Sequence, residues 1–235
     1  MREENFKVLS SLVDINRELS ISSFFKLFQD TAMVNADEIG IGRDKTIDRG
    51  WLWIFTRVLV EIEEMPKYTE DAKIATYPNG SRGGFLFHRQ AYLKNKDDKV
   101  VVRLSSQWAI IDASTRKLVL RPNFPEISET HDNPLELPGK VEHKESTLLY
   151  SRKVRFSDCD LNAHLNNVRY VDLIVDINPS SFYKEYRISK LLINYNHEVH
   201  DGETLEIYVN DDKTYVEGRL NGINCFEAEI SYKRR

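Results

Sequence analysis

The stretch SISSFFKLFQDTAMVNADEIG, residues 20–40, decides the fold. Ile21, Phe24, Phe25, Phe28, Ala32, Ala36 and Ile39 recur at intervals of three, four and seven, the spacing of one buried helix face. Gly40 and Gly42 end that helix. After Trp51-Leu52-Trp53 the period drops to two: Val58, Val60 and Ile62 share a face, then Ile74 and Thr76, with Pro66 between the runs. Residues 85–87, 91–93 and 100–112 continue as strands, punctuated by Asn79-Gly80, Gly83-Gly84 and the polar run 95–98. The first half therefore reads as one long helix followed by an antiparallel sheet.

Residues 121–143 carry Pro122, Pro125, Pro134, Pro138 and Gly139 among many charges, the composition of a surface linker. Beyond it the order repeats. A helix is expected over 166–176, stopped by Asn178-Pro179, with strands over 188–199, 204–209, 214–220 and 225–233. An offset of 133 residues pairs Val58 with Leu191, Val60 with Ile193, Ile62 with Tyr195, Ile74 with Ile207 and Thr76 with Val209, keeping the alternation in phase. The chain is thus α+β, a helix wrapped by a curved antiparallel sheet, twice over. The expected division is a first unit over 1–125, a linker over 126–145 and a second unit over 146–235.

Composition excludes several classes. Of the 235 residues, 41% are hydrophobic and 30% charged, which argues against long disorder. Lys and Arg number 33 against 37 Asp and Glu, a net −4 that gives no bulk attraction for nucleic acid. With Cys159 and Cys225 the only cysteines, neither a disulfide framework nor a four-thiolate zinc site is available, and a reducing cytoplasm is the expected home. Apolar runs fall short of the roughly 20 residues of a membrane helix, and Met1-Arg2-Glu3-Glu4 is no signal peptide.

Chemistry concentrates in Ser157-Asp158-Cys159-Asp160-Leu161-Asn162-Ala163-His164-Leu165-Asn166-Asn167, just before the second helix. One reading is a helix cap, with Asp and Asn bonding free N–H groups. The other takes the alternation of Asp160, Asn162 and His164 in an extended segment as one polar face, beside a helix start suited to stabilising an oxygen that gains charge in acyl transfer. The remaining histidines are unremarkable. His197 and His200 flank Glu198 but on a strand would face opposite sides, so no metal pair is expected, and His88, His131 and His143 show no partner pattern. Gly80-Ser81-Arg82-Gly83-Gly84 lacks the spacing of a phosphate loop and reads as a hairpin turn.

The run Asp160 to Tyr170 resembles the D-x-N-x-H-x-N-N-x-x-Y segment of acyl-acyl-carrier-protein thioesterases, hydrolases with a tandem (double) hotdog fold. Likeness to that family extends to residues 27–32, 50–57 and 106–108, in the family order. The resemblance implies hydrolysis of fatty acyl thioesters on acyl carrier protein, with no cofactor and no metal. It also implies that Asp160, Asn162 and His164 act with a glutamate of the second hotdog. That glutamate maps to Glu198, in a stretch similar to the family's E-Y-R-R-E-C but with Val199 where plant members often have Cys. A water nucleophile is therefore the better reading, and Cys159 reads as a small buried apolar residue. Asn166, Asn167, Trp51 and Trp53 are assigned to substrate binding, the tryptophans lining an acyl tunnel in the first hotdog. Met65 stands in the first half where Glu198 stands in the second, so one half is catalytic and the other receptive. Acyl-CoA hydrolysis and turnover-free acyl binding by a regulator are the alternatives. The carrier protein is acidic, so Arg152, Lys153, Arg155, Arg169 and Lys233-Arg234-Arg235 are candidates for a docking patch on a monomer or homodimer.

Overall fold

The computed structural model describes residues 1–120, 122 and 135–235. Much of the expected linker over 126–145, and His131, lie outside the described residues. The chain divides into two compact units, Met1–Pro138 and Gly139–Arg235.

The first unit runs β1 (Arg2–Lys7), α1 (Ile21–Glu38), α2 (Arg43–Ile47), β2 (Trp51–Ile62), β3 (Asp71–Arg82), β4 (Leu86–Lys94) and β5 (Val100–Asp112). Its strands lie in the order β1-β3-β4-β5-β2, every neighbour antiparallel. Helix α1 starts where the sequence places it, because the Ser20 hydroxyl caps it by accepting from the Ser23 N–H at 3.1 Å. Phe24, Phe25 and Phe28 are buried, and the helix that carries them packs against β3. Each is worth about 1.5–3 kcal/mol of transfer free energy. Gly40, at φ +75°, ends the helix in the left-handed conformation.

Two sequence expectations need correction here. Asn79-Gly80 does not break β3; the strand bulges between Pro78 and Ser81, and the turn falls at residues 83–85. The expected strands at 85–87 and 91–93 are one continuous β4. The polar residues between them, His88, Arg89 and Gln90, are buried. Arg89 donates to Asn35 Oδ1 at 2.8 Å and Thr76 Oγ1 at 3.2 Å, and burial holds its guanidinium down to about 10. Gln90 donates to Ser105 Oγ and the Leu135 carbonyl, both at 3.0 Å. Two segments of the family likeness meet in this sheet: Phe55 of β2 pairs with Trp108 of β5, their rings stacked at 4.4 Å, and Thr56 donates to the Gln107 carbonyl.

The second unit runs β6 (Thr147–Lys153), α3 (Asn167–Val175), α4 (Ser180–Glu185), β7 (Tyr186–Tyr195), β8 (Thr204–Val209), β9 (Tyr215–Leu220) and β10 (Ile223–Arg234). Its order is β6-β8-β9-β10-β7. Matching β1 to β6, β3 to β8, β4 to β9, β5 to β10 and β2 to β7 makes the two orders identical. The 133-residue offset then pairs buried positions with buried positions: Val58 with Leu191, Val60 with Ile193, Ile74 with Ile207. In β9, Gly218 leaves the space that the Phe226 ring fills, since a Cβ there would stand 2.2 Å from Phe226 Cε1. Phe226 in turn meets Tyr170 of α3 edge-on, with ring centroids 5.2 Å apart.

Candidate active site

The polar segment connects β6 to α3 through a 3-10 turn at Phe156–Asp158. Asp158, 5% exposed, anchors it: its carboxylate accepts from the Arg155 N–H at 3.1 Å and from Arg152 Nη2 at 2.7 Å, and Arg169 Nε lies 3.8 Å away. Arg152 and Arg169, expected as docking cations, are thus engaged with this buried acid. Asn166 caps α3 by accepting from the Val168 N–H at 2.9 Å, and Asn167 opens the helix, its carbonyl accepting from the Tyr195 hydroxyl.

Between anchor and cap the backbone is not extended, which corrects the expected single face of Asp160, Asn162 and His164. Asp160 Oδ1 accepts from the Asn162 N–H at 2.8 Å and the His164 N–H at 3.4 Å, an Asx turn. Ala163 takes φ +61° to complete it. The turn leaves Asn162 exposed and delivers His164 to a second segment, residues 196–200. There Leu165 N–H donates to the Val199 carbonyl at 2.7 Å and His164 bridges His200. Glu198 is not on a strand as expected: β7 ends at Tyr195, and the Asn196 and His197 N–H groups both turn to the Cys225 carbonyl.

The structure therefore brings His164 and Glu198 together, with Nδ1 to Oε1 at 3.5 Å. Their side chains are 24% and 32% exposed, reachable by a substrate yet partly shielded from water. His200, which its spacing from His197 conceals in the sequence, sets its ring edge-on to His164 at 4.8 Å. Donor atoms of His164, Glu198 and His200 lie within 4.8 Å of one another, a set chemically able to hold a small dication. Imidazole and carboxylate also form an acid–base pair without one. The buried Tyr170 hydroxyl is pushed up by burial first, then by Cys225, Glu198, Asp160 and Glu203.

Trp51 and Trp53 lie at the start of β2, both half-buried. Trp53 donates its indole N–H to the Ile41 carbonyl at 2.8 Å and meets Phe87 edge-on at 5.2 Å. Arg49 lies over the Trp51 ring.

Neither cysteine has the setting of a nucleophile. Cys159 is half-buried rather than buried, and its thiol is raised by desolvation and then by Asp201, Asp158 and Asp160. Burial pushes Cys225 up to about 11. A thiol raised above its ordinary value stays protonated at pH 7 and gains thiolate only as pH climbs through the raised value. Cys159→Ala is expected to retain most activity, and iodoacetamide at pH 7 should label the folded protein slowly. Rapid labelling of Cys159 with matching inactivation would contradict this.

The fold is that of several solved structures. An acyl-ACP thioesterase from Bacteroides thetaiotaomicron superposes with a TM-score of 0.92 at 23% identity, covering 99% of this chain and 97% of that one. A 12:0-ACP thioesterase from Umbellularia californica gives 0.88 at 19% identity, covering 100% and 97%. The architecture is accordingly a tandem hotdog. The model of the acyl-ACP thioesterase N-terminal domain matches residues 1–124 and that of the C-terminal domain residues 141–230. This chain belongs to the acyl-ACP thioesterase family. An oleoyl-acyl carrier protein thioesterase of Arabidopsis thaliana is 24% identical over 94% of the chain, and a dodecanoyl-[acyl-carrier-protein] hydrolase of Cinnamomum camphora 25% over 82%. The matches span 66% and 55% of those relatives' lengths.

Proposed function

We propose that the protein hydrolyses the thioester of fatty acyl–acyl carrier protein, releasing free fatty acid and the carrier's thiol. The observation that carries this reading is the His164–Glu198 pair at 3.5 Å, seated on the segment that matches the family motif. Glu198 takes a proton from water as the oxygen adds to the thioester carbonyl; that proton passes to His164, which gives one to the departing sulfur as the C–S bond breaks, leaving both groups as they began. Asp160 and Asn162 belong to the turn that presents His164. Trp51 and Trp53 of the first unit receive the acyl chain, with Asn166 and Asn167 at the helix start beside the thioester. The two unpaired cysteines suit the cytoplasm. Thiol release measured side by side on carrier-protein and CoA thioesters tests the reading. Release from neither removes the enzyme assignment, and a preference for CoA replaces the substrate.

Docking of an acidic carrier calls for exposed cations near the site. Lys153 and Arg155 are exposed and lead into the catalytic segment, whereas Arg152 is tied to Asp158. Reversing both charges (Lys153→Glu with Arg155→Glu) is expected to raise KM for carrier-protein substrates about fivefold or more at low salt, with a flatter salt dependence. The loss should be confined to the protein-borne substrate. Equal loss on a short pantetheine thioester would mark a folding defect, and no loss would move the docking face elsewhere.

A further inference from the structure

The turn that carries Asp160 has a counterpart in the first unit. Asp14-Ile15-Asn16-Arg17-Glu18-Leu19-Ser20 lies 146 residues before Asp160-Leu161-Asn162-Ala163-His164-Leu165-Asn166. The two share Asp, Asn and Leu, and their hydrogen bonds coincide. Asp14 Oδ1 accepts from the Asn16 N–H at 2.8 Å and the Glu18 N–H at 3.2 Å; Asp160 Oδ1 accepts from Asn162 at 2.8 Å and His164 at 3.4 Å. Arg17 and Ala163 sit at φ +62° and +61°, and each donates its N–H to the aspartate carbonyl at 3.0 Å. Glu18 bridges Lys67 as His164 bridges His200. Leu19 N–H reaches the Pro66 carbonyl at 2.8 Å as Leu165 N–H reaches Val199 at 2.7 Å. Even the flank agrees: Lys67 N–H donates to Glu70 Oε2 at 2.8 Å and His200 N–H to Glu203 Oε2 at 2.7 Å.

The copies differ where the chemistry is. Glu18 stands for His164, Lys67 for His200 and Met65 for Glu198, so the first turn holds no imidazole–carboxylate pair. It keeps its aspartate nonetheless. A carboxylate making the same two bonds in a turn without that pair serves the backbone, not a reaction. In the second unit the imidazole is matched by Glu198, while Asp160 faces the peptide N–H groups that shape the turn.

We infer that Asp160 is a positioning residue, whose carboxylate fixes the turn that presents His164, and that Glu198 alone supplies the carboxylate that activates water. The division of labour rests on the hydrolase reading above; the turn-holding role does not. An asparagine at 160 offers the same acceptor oxygen without the charge, so the variants separate the roles.

Asp160→Asn, Asp160→Ala and Glu198→Gln should be compared in kcat and KM on an acyl-pantetheine thioester and in amide hydrogen exchange at Asn162 and His164. Asp160→Asn is expected to keep kcat within about fivefold and the two amides protected. Asp160→Ala should lower kcat at least tenfold and release both amides, with KM little moved. Glu198→Gln should lower kcat about a hundredfold or more and leave the amides protected. In the first unit, Asp14→Ala should release the Asn16 and Glu18 amides in the same way. A hundredfold loss in Asp160→Asn with protected amides would overturn the inference, as would unchanged exchange in Asp160→Ala. If the wild-type protein releases no thiol, the hydrolase reading fails, and the exchange measurements still decide whether Asp160 holds the turn.

Discussion

Glu198→Gln and His164→Ala are each expected to lower kcat for thioester hydrolysis by about two to four orders of magnitude. The reasoning is geometric. Imidazole and carboxylate come from segments 34 residues apart in sequence, yet they meet at 3.5 Å because two backbone links, Leu165 to Val199 and His164 to His200, lock the segments in register. Both side chains are partly exposed, so their replacement disturbs the packed interior little. The loss should appear in kcat with an unchanged circular dichroism spectrum; a hundredfold loss corresponds to about 2.7 kcal/mol of transition-state stabilisation. If each variant stayed within about twofold of wild type, the site would have to be sought elsewhere.

The largest expected effect on stability is at Gly218. An alanine methyl would arrive 2.2 Å from Phe226 Cε1 and 3.2 Å from Leu205 Cδ2, in a strand paired on both sides by β8 and β10. Phe226 is fully buried and braced against Tyr170, so relief requires the ring or the strand to move. Overpacking of this kind costs about 1–3 kcal/mol, several degrees in Tm, with valine worse. Shortening the ring should restore part of the loss: Gly218→Ala combined with Phe226→Leu is expected to be less destabilised than the two single losses added together. Additive losses in thermal denaturation would show that the ring is not what the methyl strikes. Since Phe226 packs on the helix that follows the Asp160–His164 turn, kcat should fall along with Tm.

What the sequence reveals depends on where each element spends its apolar residues. Helix α1 and strand β8 are legible because one face of each is buried and the period is clean. Strands β1 and β6 are not: Arg2-Glu3-Glu4 and Ser151-Arg152-Lys153 alternate in exposure without alternating in hydrophobicity. Strand β4 is hidden for the opposite reason. Its buried centre is polar, and hydrogen bonding rather than apolar transfer satisfies it. The short helices α2 and α4 carry too few turns for a period to show. At the site, the motif identifies His164 but not its surroundings. The reach from His164 to Glu198 is a tertiary contact, and the reading of 188–199 as strand put Glu198 and His200 on a regular pleat that the backbone leaves at Tyr195. The D-x-N-x-x-L echo at 14–19 was available as a second internal repeat, but its offset of 146 differs from the 133 that aligns the strands.

Strand β1 bears on how the protein tolerates handling. Its six residues pair with Asp71–Thr76 of β3 and, among the described residues, have no strand on their other side. Such an outer ribbon of charged side chains acts as a sealing strip, discouraging a stray chain from adding itself to the sheet. Cutting away residues 1–7 would bare the N–H and C=O groups of β3 beside Ala72, Ile74 and Ala75, a sticky apolar run. Displacing that ribbon therefore threatens solubility before it threatens the His164–Glu198 pair.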